Sequence, residues 1–116
     1  MLRDVIHFYR VKDLDRVKDF YEDILGLKLY KDQKKCLIYD ANYGKIGFCL
    51  HFPSEKADQS CITFVFDRVE ELRVVRQTLL EGGYAPKPIE TNDYFRITHF
   101  FVRDKDDLNV EFQVFL

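Results

Sequence analysis

The feature that most constrains the fold is an order of elements that occurs twice along the 116-residue chain. In each half, a strand with apolar side chains at every second position precedes a helix with apolar side chains every three to four residues, and three more strands follow. An order that recurs over about the same number of residues indicates an internal duplication. We therefore predict one domain, residues 1–116, in which a first module at 1–53 and a second module at 61–116 are joined by a linker at 54–60.

The first module is predicted from its alternation and its turn residues. Its helix follows Asp13, which suits the N-cap position, and Gly26 ends it, as glycine commonly does one residue beyond a helix. Between them Leu14, Val17 and Ile24 form an apolar stripe. The strands of this module are expected at 5–11, 27–31, 35–40 and 46–52.

The second module follows the same order. A helix at 69–80 comes after Asp67, the expected cap, and is stopped by two consecutive glycines. The segment 84–89 carries two prolines, which indicates an edge strand because proline cannot donate to a sheet ladder. The other strands of this module are expected at 61–66, 95–102 and 108–116.

Composition excludes several classes of partner. The net charge is −2 and no basic stripe is present, which argues against nucleic acid. No apolar run reaches membrane-spanning length and the N-terminus lacks a signal-peptide core, so we expect no membrane partner. Three cysteines without a CxxC pair favour a reducing cytoplasm over a disulfide framework.

The closing strand carries a carboxylate in an apolar setting. Val110, Phe112 and Val114 alternate with Glu111 and Gln113, so two different faces of a sheet are predicted. If the face of Glu111 is buried, the carboxylate requires a cation, a hydrogen-bond donor or a metal as its partner. If that face is exposed to solvent, as in many antiparallel sheets, Glu111 requires no partner.

The opening strands of the two modules can be overlaid. His7 lies six residues before Asp13 and Cys61 lies six residues before Asp67, so we predict that His7 and Cys61 are equivalent. Each helix should cover one face of its sheet and leave the face of these two residues uncovered. The side chains expected beneath the helices are Ile6 and Phe8 in the first module, and Ile62 and Phe64 in the second.

The closing strands extend the overlay. Cys49 then corresponds to Glu111. His51 corresponds to Gln113. If the two sheets curl together, one nitrogen, two sulfurs and one oxygen converge, a donor set that a borderline-soft cation such as zinc accepts. These donors are His7, Cys49, Cys61 and Glu111.

The chain resembles the vicinal-oxygen-chelate superfamily, which includes glyoxalase I, fosfomycin-resistance transferases, extradiol dioxygenases and bleomycin-resistance proteins. The segments that carry the resemblance are 6–8, 20–27 and 104–113. The chain departs from the family pattern at Cys61, where histidine is usual, and at Cys49, where glyoxalases often have glutamate. Its last turn also lacks the family's proline and glycine.

The resemblance implies an α+β fold of two tandem βαβββ modules, with sheets that curl into a cup-shaped cavity and helices on the outside. It implies a divalent metal, zinc or nickel, held by His7, Cys49, Cys61 and Glu111, with Glu111 also moving protons as the catalytic residue. The expected function is that of a metal-dependent lyase, isomerase or transferase acting on a small organic molecule with vicinal oxygens, similar to lactoylglutathione lyase. The alternatives are a metal-free small-molecule binder of the bleomycin-resistance kind and a degenerate member with an empty site.

The resemblance also implies a pocket for a small-molecule substrate or ligand and a homodimer, while the cytoplasmic location is expected from the cysteines. Aromatic side chains near the expected site suit a planar or apolar ligand, and they suit a protein core equally well. The predicted pocket residues are Tyr9, His51, Phe95, His99, Phe101 and Gln113.

Overall fold

The computed structural model describes residues 5–50 and 61–116. It divides into two compact units, Met1–Lys56 and Ala57–Leu116. Each unit contains one helical element and one four-stranded mixed sheet, so the predicted α+β class is confirmed. The predicted linker at 54–60 and His51 lie outside the described residues. No helix in the described ranges is long and apolar enough to cross a membrane.

The first unit places its sheet in the strand order β1-β4-β3-β2. Strands β1 and β4 are parallel, and the other neighbours are antiparallel. The strands are β1 (Ile6–Arg10), β2 (Lys28–Asp32), β3 (Cys36–Asp40) and β4 (Lys45–Cys49).

The helix of the first unit begins and ends close to the predicted residues. A side-chain oxygen of Asp13 accepts a hydrogen bond of 2.8 Å from the backbone N–H of Asp15, which caps α1 (Leu14–Val17). The helix continues as a π-helical segment at Lys18–Ile24, and Gly26 follows with a φ of 72°. Glycine suits that left-handed conformation because it has no Cβ.

The helix covers a different face of the first sheet from the one we predicted. The ring centroids of Tyr21, on the helical segment, and Phe48, on β4, are 4.2 Å apart, and Tyr9 on β1, the register partner of Phe48, also stacks with Phe48. Tyr9 is accordingly only 5% exposed, whereas Ile6 is 38% and Phe8 36% exposed. The prediction that Ile6 and Phe8 lie beneath the helix is therefore wrong.

The second unit orders its strands β5-β8-β7-β6, with β5 and β8 parallel. Its helix, α2, spans Val69–Glu81, and its N-cap is Arg68. The backbone N–H of Arg68 donates a 3.1 Å hydrogen bond to the carboxylate of Glu71. The strands are β5 (Cys61–Val65), β6 (Glu90–Asn92), β7 (Ile97–Arg103) and β8 (Asn109–Phe115).

The core of the second unit forms around Phe112. Its ring stacks with those of Phe100 and Phe64, and Leu72 and Leu79 of α2 are fully buried. Since the side chains of a strand alternate between faces, Glu111 and Gln113 lie on the opposite face of the sheet from Phe112. The prediction that the face of Ile62 and Phe64 is covered is confirmed by a buried Ile62 and a half-buried Phe64.

The edge of the second sheet differs from the prediction. Residues 84–89 form no strand, and the edge strand is the shorter β6. The backbone N–H of Lys87 nevertheless donates a 2.9 Å hydrogen bond to the carbonyl of Phe101, so this segment follows β7. Two prolines in these six residues explain why no strand forms, because each proline lacks the backbone N–H that would donate a hydrogen bond to a neighbouring strand.

Candidate functional site

Glu111 is half-buried on β8 and has two hydrogen-bond partners on neighbouring strands. Thr63 is its direct neighbour on β5, and the Thr63 hydroxyl donates a 2.8 Å hydrogen bond to Oε1. His99 lies diagonally across on β7, with Nδ1 2.7 Å from Oε2. The side chains of His99 and Glu111 are 14% and 13% exposed. We call Thr63, His99 and Glu111 the Glu111 cluster.

The cluster fixes the orientation of the imidazole. A carboxylate only accepts hydrogen bonds, so Nδ1 of His99 carries the hydrogen and Nε2 faces away from Glu111. The ring also meets Phe101 edge to face at 5.2 Å, which limits its rotation. No described residue of the second unit hydrogen-bonds Nε2. That nitrogen can therefore act towards a ligand, either as an acceptor or as a proton carrier.

Cys61 lies beside the cluster on the same face of the sheet. Its sulfur is 3.9 Å from the Thr63 hydroxyl and 3.6 Å from the backbone oxygen of Ile62. Desolvation of the sulfur raises the pKa of the Cys61 thiol, and the negative charge of Glu111 raises it further. The thiol form, which is a poor metal ligand, is thereby favoured over the thiolate.

Cys49 is not available as a thiolate, because its sulfur forms a disulfide with Cys36. The two residues are directly opposite on antiparallel strands β3 and β4, with Cα atoms 4.2 Å apart, and both are buried. The expectation that the cysteines form no disulfide is therefore wrong. The pairing depends on the strand register, which the spacing of cysteines along the chain does not reveal.

His7 and Cys49 lie on opposite faces of the first sheet. Arg10 is the register partner of Cys49, so His7, three residues before Arg10, points to the other face. There the His7 ring stacks on Tyr9, with centroids 4.8 Å apart and planes 8° from parallel. The overlay of His7 with Cys61 assumed a cap at Asp67, one residue before the actual cap, and a slip of one residue exchanges the faces of a strand.

The predicted pocket residues are divided between three environments. His99, Phe101 and Gln113 share the face of the Glu111 cluster, with Gln113 directly across from His99. Tyr9 belongs to the core of the first unit. Phe95 is 65% exposed in the turn before β7, where its ring contacts that of Tyr94.

A cavity of about 430 Å³ lies next to the cluster in the second unit. Phe101 belongs to its lining and also contacts His99, so the cavity and the Glu111 cluster are contiguous. The cavity is lined by Ala85, Lys87, Phe101, Val102, Arg103 and Asn109. The sequence did not predict Lys87 and Arg103 as lining residues or Thr63 as a partner of Glu111, because isolated polar residues on strands and turns do not indicate a site.

The predicted metal ligands do not form a matching donor set. The Cys49 sulfur is bonded to that of Cys36, so it cannot act as the thiolate ligand that was predicted. Within residues 5–50 and 61–116, no three His, Cys, Asp or Glu side chains are grouped so that they could hold a metal ion. The four-residue site expected from the resemblance therefore does not fit the donors that this chain presents.

The chain belongs to the glyoxalase/bleomycin resistance protein/dioxygenase superfamily, whose family model matches residues 5–112. No curated protein matches the chain significantly. The resemblance read from the sequence is thus confirmed at the level of the superfamily.

Solved structures share the fold at low sequence identity. Lactoylglutathione lyase from Agrobacterium tumefaciens has a TM-score of 0.78 and 13% identity, over 98% of this chain and 94% of that one. The fosfomycin resistance protein FosX from Mesorhizobium loti has a TM-score of 0.76 and 13% identity, over 100% and 95%. FosX from Listeria monocytogenes, solved with Mn(II) and sulfate, has a TM-score of 0.77 and 16% identity, over 100% and 90%.

Proposed function

We propose that this protein binds a small organic molecule at the face of the second sheet that carries the Glu111 cluster, and that binding requires no divalent metal. The observation that carries the proposal is the pair of hydrogen bonds that the Glu111 carboxylate accepts within the fold, from Thr63 at 2.8 Å and from His99 at 2.7 Å. A half-buried carboxylate needs compensation, and here hydrogen-bond donors within the fold supply it. This is the metal-free alternative among the functions that the resemblance implies.

The face has the composition of a small-molecule site. Phe101 supplies an apolar surface, while His99 presents Nε2 and Gln113 presents an amide on the same side of the sheet. Ligand sites typically combine apolar walls with a few oriented polar groups. The hydrogen bond to Glu111 and the contact with Phe101 hold the imidazole in one orientation before a ligand arrives, which reduces the entropy lost on binding.

The second candidate is a metal-dependent lyase, isomerase or transferase that uses zinc or nickel. It is favoured by the Mn(II) bound in FosX from Listeria monocytogenes, which shares the fold. In this chain, His7 and Glu111 would have to act with Cys61, and the pKa of the Cys61 thiol is raised.

Thermal melts test the two candidates against each other. A ligand that binds only the folded protein raises its melting temperature, and each 1 kcal/mol corresponds to roughly 3–6 °C for a domain of this size. We expect small organic molecules to raise the melting temperature in the presence of EDTA. We expect zinc, nickel, cobalt and manganese to have no effect, in wild-type protein and in Glu111→Ala alike.

Metal analysis of protein purified without chelators completes the test. One equivalent of zinc or nickel, lost in Glu111→Ala but retained in the exposed control Glu70→Ala, would overturn the proposal in favour of the metal-dependent enzyme.

A homodimer remains part of the proposal because the resemblance implies it. Light scattering at micromolar concentration checks it, and a monomeric mass would remove it.

A further inference from the structure

The cavity beside the Glu111 cluster carries positive charge. Its two ionisable lining residues are Lys87 and Arg103, and both are cationic at neutral pH. Asn109 adds an amide, and Arg103 is its register partner across β7 and β8. Ala85 and Phe101 supply apolar surface. The lining thus pairs an apolar wall with two cations, which suits a ligand with a hydrophobic body and an anionic end.

The wall that carries Lys87 is held in place by an arginine of the helix. Arg76 on α2 donates from Nε to the carbonyl of Lys87 at 2.8 Å and from Nη2 to the carbonyl of Pro86 at 3.3 Å. On the other side, the N–H of Lys87 donates to the carbonyl of Phe101. This segment forms no strand, and these three hydrogen bonds fix its backbone against the helix and β7.

Arg103 is paired only weakly within the fold. Its Nη1 donates to the backbone carbonyl of Asp107 at 3.0 Å, while its Nε is 3.7 Å from the Asp107 carboxylate. Both side chains are well exposed, so the ion pair contributes little. An anionic ligand that accepts from the guanidinium would compete with that carboxylate.

Phe101 lies between the cations and the cluster. It is two residues from Arg103 and two from His99 on β7, and alternate residues of a strand are about 7 Å apart on one face. An anion held at Arg103 would therefore place an attached planar ring over Phe101. The far edge of that ring would approach Nε2 of His99.

We infer that this cavity is the subsite for the carboxylate of a planar organic acid, with Lys87 and Arg103 as its anion-binding residues and Phe101 as the surface for its ring. The inference rests on the proposed function, because it names the chemical class of the ligand at that face. Arginine suits this task since its planar guanidinium matches the geometry of a carboxylate.

Titration with benzoate, followed by amide shifts in two-dimensional NMR in the presence of EDTA, tests the inference. We expect benzoate to shift the amides of Lys87, Arg103 and Asn109 in the wild-type protein, and uncharged benzamide to bind more weakly. Lys87→Gln and Arg103→Gln should each weaken benzoate binding roughly fivefold, as expected for a partly exposed charge. Arg73→Gln is the matched control, since it removes an exposed positive charge from α2 and should leave binding unchanged.

Asp107→Asn is the complementary variant. It removes the competing carboxylate, and asparagine tolerates the φ of 65° at this position. It should therefore tighten benzoate binding roughly twofold to threefold. A dispersed spectrum shows that each variant is folded.

Three results would overturn the inference. The first is an absence of amide shifts in wild-type protein with benzoate up to about 20 mM, a concentration that covers millimolar dissociation constants. The second is a set of shifts confined to residues other than the cavity lining. The third is an equal loss of benzoate affinity in Lys87→Gln, Arg103→Gln and Arg73→Gln. Benzoate binding that appears only after zinc or manganese replaces EDTA would instead overturn the metal-free function while leaving the cavity as the anion subsite.

Discussion

Nδ1 of His99 lies 2.7 Å from Oε2 of Glu111, and this pair accounts for a carboxylate in the middle of an apolar strand. The sequence shows that a half-buried Glu111 needs a partner but does not show which one. Of the three kinds of partner considered, the structure supplies hydrogen-bond donors, one from each neighbouring strand. This arrangement fixes His99 in a single tautomer and directs its Nε2 away from Glu111.

Removing the Glu111 carboxylate should destabilise the fold. In Glu111→Ala, the half-buried His99 and the exposed Thr63 both lose their acceptor, so we expect a loss of about 2 kcal/mol in the free energy of unfolding. Chemical denaturation with guanidinium measures it. Glu70→Ala, which removes an exposed carboxylate from α2, should change stability by about 0.5 kcal/mol or less. Equal effects of the two substitutions would show that the hydrogen bonds contribute no net stability.

Local periodicity predicted the order of helices and strands, apart from the strand expected at 84–89. The alternation of Val110 and Phe112 with Glu111 and Gln113 identifies the two faces of β8, and of the two environments left open for the Glu111 face, the largely buried one is observed. The apolar stripe around Val17 and Asp13 at the N-cap likewise identify the first helix. These features depend on residues close together in the chain, so the sequence contains them directly.

The site was harder to predict because it depends on register. The overlay of the two modules assumed that Asp67 caps the second helix, but the cap is Arg68. This error of one residue assigned the side chains of the first strand to the wrong faces of the sheet. The pairing of Cys36 with Cys49 requires that β3 and β4 meet in one particular register. Thr63 and His99 approach Glu111 from two different strands, and no local pattern marks them as its partners.

The raised pKa of the Cys61 thiol predicts slow alkylation. At a pH below that pKa most of the group is the unreactive thiol, so the rate with iodoacetamide should reach half its maximum at a higher pH than for a free cysteine. Glu111→Gln removes a charge that raises the pKa, so it should shift this midpoint to lower pH. A wild-type midpoint at or below that of free cysteine would contradict the assigned environment of Cys61.

The cysteine pair predicts a dependence of stability on reductant. Cys36 and Cys49 are 13 residues apart, and closing a loop of that size contributes about 3 kcal/mol in the chain-entropy model. We expect dithiothreitol to lower the free energy of unfolding by roughly this amount. The control is Cys36→Ala/Cys49→Ala, whose stability should not respond to reductant. Titration with Ellman's reagent should find one thiol in the unfolded oxidised chain and three after reduction.

Gly47 should tolerate no side chain while Phe8 is present. A methyl group at Gly47, the register partner of Phe8 on β4, would overlap the Phe8 ring. Gly47→Ala should therefore destabilise the protein by about 1–3 kcal/mol, the usual range for overpacking. Phe8→Leu in the same chain removes the ring and should recover part of that loss. The control is Gly44→Ala, where an added methyl group would lie 3.4 Å from the carbonyl oxygen of Val5 and should cost less. Thermal and guanidinium unfolding of Gly44→Ala, Gly47→Ala, Phe8→Leu and the Gly47→Ala/Phe8→Leu double variant measure the coupling. A loss in Gly47→Ala that Phe8→Leu does not reduce would show that the strain lies in the backbone instead.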